Sequence, residues 1–323
     1  MTNKPKYVQI PTQAVVFFSL LLLVTSFFSG AYWFKNIGVT GSLTGSSKAP
    51  VFAAKKTAKP EFDFYVMSFC PYGNQIEDVI RPVADLLGDK ANIQPRYIFD
   101  KITDLKTYCS SRSGDPTQCA AYVQSGYFTT EAECTKTIQA SLDTCLDDKE
   151  YIKSSDGSYY ASLHGRQEAN QNIREICAWN QTEDKSVWWD FVGNVNKNCT
   201  DKNADNCWAD QAQAAGLDTN KITECFNKEA VALIENELTY TESNSVQGSP
   251  TLIVNGVNFP PESAYAQDGK GQLKVGKKVI DQADFRTPNT LKESICASFK
   301  NAPKECNTVL EALSETAPAA GGC

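Results

Sequence analysis

Cys70 stands where a run of strand-forming residues breaks. Tyr65-Val66-Met67-Ser68-Phe69-Cys70-Pro71-Tyr72-Gly73 passes from a β pattern into Cys-Pro, and an amphipathic stretch follows. Proline suits the first helical position, because no N–H is needed there. A cysteine just before it lies at the positive end of the helix dipole, beside unpaired backbone N–H groups. Those groups favour the thiolate, the reactive form of the side chain. Cys70 is therefore the expected catalytic residue, a free and partly exposed thiol, in an active-site loop of Pro71, Tyr72 and Gly73. Gly73 stands where a Cys-x-x-Cys pair would carry its second sulfur. A cysteine there would lie one turn from Cys70 and reach its sulfur.

The other cysteines set the compartment. The chain has 12 cysteines and 1 histidine, and no Cys-x-x-Cys pair. Zinc is disfavoured, no metal or cofactor is expected, and disulfides outside the cytoplasm are the better reading. Nearness in sequence suggests Cys109 with Cys119, Cys134 with Cys145, Cys199 with Cys207, and Cys296 with Cys306; Cys177 with Cys225 completes the set. Spacing alone does not fix connectivity. Cys323 is left over in an Ala-Gly-Gly tail, as a resolving thiol, an intermolecular link or a free end, the last slightly favoured. Net charge is −7 with no basic block, which argues against nucleic acid as a partner.

No charge occurs between Lys6 and Lys35. Residues 14–34 are apolar enough to cross ~30 Å of hydrocarbon. They are read as a membrane anchor, with residues 1–13 cytoplasmic and the remainder outside. A signal peptide cleaved near Ser29-Gly30-Ala31 is the other reading. Residues 35–60, rich in Gly, Ser, Lys, Ala and Pro, read as a flexible linker, with order beginning near Phe62.

The folded region is expected over 61–300, with 301–323 as a C-terminal segment and tail. Strands are predicted at 62–68 and 93–99, with a helix at 73–87 carrying Ile76, Val79, Ile80, Val83, Leu86 and Leu87 on one face. A helical insert over about 100–245 holds predicted helices at 131–146, 167–179, 187–196, 204–214 and 228–239, and a short strand at 159–163. Thr251–Val254 reads as a strand, followed by an Asn255-Gly256 hairpin turn. More strand is expected at 274–280, and a final helix at 290–299. Pro250 must start its strand or sit at a bend, since proline cannot donate within a sheet.

Phe69–Gly73 together with Gly248–Gly256 resembles the DsbA-type disulfide oxidoreductases, of thioredoxin-like α/β fold. A narrower resemblance is to the gamma-interferon-inducible lysosomal thiol reductase family. His164-Gly165, Glu168, Asn172 and Cys177 fall in register with that family's signature, while Ser162 and Ala169 replace two of its cysteines. The resemblance implies a cis bond before Pro250, beside Cys70, with the Ser249 backbone open to a substrate strand. It implies a structural role for His164 at the helix start, with a role as base near Cys70 as the lesser alternative.

The function expected is thiol–disulfide exchange outside the cytoplasm, isomerase-like or partner-dependent, because Gly73 cannot resolve a mixed disulfide. The partners expected are proteins with thiols or disulfides, and a redox protein in the membrane. The competing reading is a non-enzymatic peptide-binding, chaperone-like or structural envelope protein.

Overall fold

The computed structural model describes residues 49–260 and 271–313. The expected anchor, the N-terminal residues before it and Cys323 lie outside the described residues. Among those described, no helix is long and apolar enough to cross a membrane.

The chain divides into two compact units, one of residues 49–113 and 142–313, the other of residues 114–141. In the larger unit the central strand is β2 (Glu61–Val66). Its Phe62, Phe64, Tyr65 and Val66 are all buried, as suits a strand covered on both faces. Helix α1 (Pro71–Leu87) returns the chain to β3 (Asn92–Tyr97), parallel to β2. Pro95 within β3 is tolerated because β3 is an edge strand. On the other side of β2 runs β7 (Thr251–Val254), antiparallel, with Phe62 opposite Val254 and Tyr65 opposite Thr251. The turn at Asn255-Gly256, both with positive φ, leads to β8 (Val257–Asn258). The sheet order β3-β2-β7-β8, parallel then antiparallel, with a helix after β2, is the thioredoxin-like α/β arrangement.

Ile76, Val79, Ile80, Val83 and Leu87 of α1 are buried, at helical spacing. Helices α5 (Arg166–Gln181), α6 (Lys185–Asn198), α7 (Ala204–Ala214) and α8 (Thr219–Ser243) supply most of the remaining core. Phe64 stacks on Trp189 at 5.6 Å and meets Trp188 edge-on at 6.4 Å. Trp188 satisfies its one donor by bonding the Glu175 carbonyl at 2.9 Å.

The described chain departs from the expected layout in two places. Val51–Phe52 is a strand, β1, inside the predicted linker. It pairs in parallel with β9 (Gln272–Val275), and β9 turns through Gly276 into β10 (Lys278–Asp281). Phe52 is buried against Phe259, with ring centroids 4.8 Å apart. The strand expected at 274–280 is present, as the two arms of this hairpin. The insert is not wholly helical, since β4 (Asp100–Ile102), β6 (Tyr159–Ala161) and β5 (Ile152–Lys153) form a separate antiparallel sheet.

The disulfides of the insert also differ from nearest-neighbour pairing. Cys109 joins Cys145, and Cys119 joins Cys134. The chain folds back on itself between Cys119 and Cys134, so the outer two cysteines meet as well. Tyr151 packs at the outer bridge and donates to the Cys145 carbonyl at 2.8 Å. Outside the insert the bridges are Cys177–Cys225, Cys199–Cys207 and Cys296–Cys306.

The smaller unit carries α3 (Cys119–Gln124) and the first turns of α4 (Glu131–Leu146). Its core is Cys119, Cys134 and Ile138, with Tyr122 and Phe128 packed against them.

Candidate functional site

Cys70 is the N-cap of α1, extended at φ −72° and ψ 116°, and Pro71 opens the helix. The turn before it is closed by the Cys70 N–H donating to the Met67 carbonyl at 3.0 Å. The Asn74 N–H donates to the Cys70 carbonyl at 3.0 Å, the first bond of the helix.

The Ser249–Pro250 bond is cis. The Ser249 carbonyl oxygen lies 3.6 Å from Cys70 Sγ. Ser249 Oγ accepts from the Met67 N–H at 3.3 Å. The two segments singled out in the sequence, residues 69–73 and 248–256, therefore meet at the end of the central sheet. Phe259–Pro260 is also cis, with no counterpart in the sequence reading.

Cys70 is not the free, partly exposed thiol expected. It is fully buried, and it is held in a disulfide. A side chain at position 73 would press on Ser249. A Cβ on Gly73 would lie 2.8 Å from Ser249 Oγ, inside van der Waals contact. A cysteine at 73 would need the Ser249 hydroxyl to shift. Tyr72 is more exposed than its neighbours in the loop, at 39%.

Two residues that the sequence reading used only as register markers hold the loop. Glu168, in the first turn of α5, is fully buried. Its carboxylate accepts from the Phe69 N–H at 3.0 Å, Ser162 Oγ at 2.7 Å and the His164 N–H at 2.9 Å. His164 Nδ1 lies 2.7 Å from the same carboxylate. Asn172, one turn further along, accepts from the Ser68 N–H at 2.9 Å and from Ser68 Oγ at 2.7 Å. The N–H groups of the two residues before Cys70 are thus both tied to α5.

His164 faces Glu168, and that hydrogen bond raises its pKa above the usual imidazole value. Its position fits the structural role expected of it. Ser162, where the resemblance puts a cysteine, serves instead as a donor in this network.

Deeper in the core, Glu175 accepts from Tyr97 OH at 2.7 Å and from Gln171 Nε2 at 2.9 Å. Burial pushes its pKa up to about 7. Burial, and then the charge of Glu175, holds the Glu77 carboxyl of α1 well above the usual range. Among the described residues no cluster of His, Cys, Asp and Glu has the geometry to hold a metal ion.

A family model for the vacuolar sorting receptor thioredoxin-like domain matches residues 115–262, a stretch that includes the cis Ser249–Pro250 bond but not Cys70. No curated protein matches the chain. Among solved structures, it is similar to DsbA of Mycobacterium tuberculosis, with 13% identity, a TM-score of 0.39, and 81% of this chain and 93% of that one covered. BdbD of Bacillus subtilis is 12% identical with a TM-score of 0.39, covering 79% of this chain and 91% of its own. The thiol-disulfide oxidoreductase MdbA of Corynebacterium diphtheriae is 12% identical with a TM-score of 0.37, covering 64% of this chain and 80% of its own. The strand order, with a helix between β2 and β3, is that of a mixed α/β thioredoxin-like fold carrying several disulfides.

Proposed function

We propose that the protein catalyses thiol–disulfide exchange, with Cys70 as the attacking thiol. The observation that carries this is the 3.6 Å approach of the Ser249 carbonyl to Cys70 Sγ at the start of α1. The helix start supplies N–H groups and a dipole that favour a thiolate. The Ser249 backbone offers hydrogen-bonding groups for an extended substrate segment. Cys70 is disulfide-bonded, so exchange begins from the reduced chain.

The reduced Cys70 attacks a protein disulfide and forms a mixed disulfide. Residue 73 is glycine, so release needs a thiol from elsewhere, whether from the substrate in an isomerase-like step or from a redox partner. The five described bridges fit an oxidising space outside the cytoplasm. A tether through residues 14–34 would hold the domain at the membrane facing that space. The register of His164, Gly165, Glu168, Asn172 and Cys177 with the gamma-interferon-inducible thiol reductases supports the same chemistry. It now has a physical content, since Glu168 and Asn172 position the loop.

The full burial of Cys70 favours one competing reading, a binding module in which the Cys70 bridge is structural. Alkylation of the gently reduced protein separates the two. Exchange chemistry requires Cys70 to be reduced first among the bridged cysteines. Its alkylation should then level off at a lower pH than an ordinary free cysteine shows. A Cys70 bridge as resistant to reduction as the other five would sink the enzymatic reading.

A further inference from the structure

Three segments meet around Cys70. Residues 248–250 reach it through the Ser249 carbonyl, 3.6 Å from Sγ. Residues 162–165 reach its loop through Glu168, which accepts from the Phe69 N–H at 3.0 Å and from the His164 N–H at 2.9 Å. Those two nitrogens are separated by one carboxylate and two hydrogen bonds, so they lie within about 8 Å of each other. Tyr72 follows Cys70 by two residues, in the first turn of α1. We propose that Leu163, with Tyr72, forms the rim of an apolar substrate subsite. The preferred substrate is then a protein segment with a bulky apolar residue beside its half-cystine. This rests on Cys70 being the attacking thiol.

Leu163 is exposed while the residues on either side of it are held. Ser162 is buried, and its Oγ donates to Glu168 at 2.7 Å. His164 Nδ1 lies 2.7 Å from the same carboxylate. The Gly165 N–H closes the turn on the Ser162 carbonyl at 3.0 Å. Turn positions favour Gly, Pro, Asn, Asp or Ser, each for a backbone reason. A leucine supplies none of these, and at 163 it leaves an apolar side chain 40% exposed. The tied backbone presents that side chain in one place, so little freedom is lost when a partner covers it. Tyr72 is 39% exposed. None of the other exposed large apolar side chains among the described residues belongs to the three segments.

The charge pattern points the same way. Residues 69–73, 162–165 and 248–250 hold no Asp, Glu, Lys or Arg, although 21% of the chain is charged. Their one imidazole, His164, is paired with Glu168. An apolar partner therefore covers no unpaired charge here, whereas a strongly charged segment would find no counter-charge. In the exchange itself, the Cys70 thiolate attacks the half-cystine sulfur of the substrate. The new S–S bond forms as the old one breaks, and the other half leaves as a thiolate with the electron pair. Leu163 and Tyr72 act on which segment docks, through the residues next to that sulfur.

The test uses the full chain, reduced mildly until the Cys70 bridge opens and the five described bridges remain, as peptide mapping reports. The probes are the peptides Gly-Leu-Cys-Leu-Gly and Gly-Ser-Cys-Ser-Gly, each activated as its mixed disulfide with 5-thio-2-nitrobenzoate. The rate of adduct formation at Cys70 is read by mass and divided by the rate of the same peptide with glutathione. Because both peptides are read on one protein, a general loss of reactivity in a variant cancels from their ratio. The wild type should favour the leucine peptide by about fivefold or more. Leu163→Ser should bring the ratio to within about twofold of one, and Leu163→Met should keep it. Leu146→Ser removes a similarly exposed leucine at the end of α4 and should leave the ratio unchanged. A wild-type ratio near one would overturn the subsite and leave Cys70 as the attacking thiol. So would a ratio that survives Leu163→Ser, or one that falls as far in Leu146→Ser. No adduct at Cys70 from either peptide would overturn the exchange reading and the subsite with it.

Discussion

The hydroxyl of Ser249 occupies the place where a side chain at Gly73 would begin, with Oγ 2.8 Å from a Cβ built there. The same hydroxyl accepts from the Met67 N–H at 3.3 Å, so it is not free to swing away at no cost. Gly73 is thus a packing partner of the cis-proline segment, not merely a missing cysteine.

Gly73→Ala therefore sets two effects against each other. Replacing glycine in a helix gains up to about 1 kcal/mol. Overpacking against Ser249 costs about 1–3 kcal/mol. The expected sum is a loss of about 1 kcal/mol in denaturant unfolding. In a Ser249→Ala background the clash is removed, and the same substitution should become neutral or stabilising. An equal loss in both backgrounds would show that Ser249 is not what limits position 73.

Glu168 is the pivot between α5 and the Cys70 loop. Glu168→Ala leaves the Phe69 N–H, Ser162 and His164 without their shared acceptor. Losing one side of a buried charged network costs about 3–5 kcal/mol. Glu168→Gln keeps the shape and should cost less than half of that. In the gently reduced protein both variants should also slow alkylation of Cys70, because the loop that presents it is loosened. A stability loss below about 1 kcal/mol for the alanine variant would mean that the loop is held by other contacts.

The strand–helix–strand start was legible because its signals are local. The apolar spacing of Ile76 to Leu87, the Pro71 helix start and the Asn255-Gly256 turn each act within a few residues. Helices over 131–146 and 204–214 appear with the expected bounds. β1 was not legible, since two residues carry no periodicity and pair only with a strand more than two hundred positions away. The nested disulfides of the insert were missed for a related reason, because nearness in sequence says nothing about which helix folds back on which. Glu168 and Asn172 were visible only as matches in register. Their hydrogen bonds to residues 68 and 69 link positions about a hundred apart, and no local pattern encodes that.

The pH dependence of stability follows from His164 and Glu175. The Glu168 carboxylate raises the His164 pKa above 6.5, so the folded state holds that proton more tightly than the unfolded chain does. Its contribution is complete below about 6.5 and is lost as pH rises through the folded value. Burial raises Glu175 from 4.5 to about 7, which acts in the same direction between those values. Both groups favour the folded state at acidic pH. Unfolding free energy should therefore fall between about pH 5 and about pH 7 and go on falling as pH rises through the His164 value, and Glu175→Gln should flatten the curve. The chain has 1 histidine, so an NMR titration of the imidazole reads the first group without ambiguity. An imidazole titrating below 6.5 would contradict the ion pair with Glu168.

The smaller unit should depend on its bridge more than the rest of the chain does. Its apolar core is Cys119, Cys134 and Ile138 with two flanking aromatic rings, far too little to offset the ordering of residues 114–141. The Cys119–Cys134 bridge closes a separation of 15 residues, and such a loop is worth about 3 kcal/mol through restriction of the unfolded chain. Tyr122 adds edge contacts to Tyr127 at 6.3 Å and a tilted contact to Phe128 at 6.4 Å, each worth about 1 kcal/mol at most. Replacing Cys119 and Cys134 together by alanine should therefore remove hydrogen-exchange protection from residues 119–138. Protection in β2, β3 and α1 should remain, because their core shares no bridge with that unit. Retained protection over 119–138 in the double variant would show that the aromatic contacts alone hold the unit together.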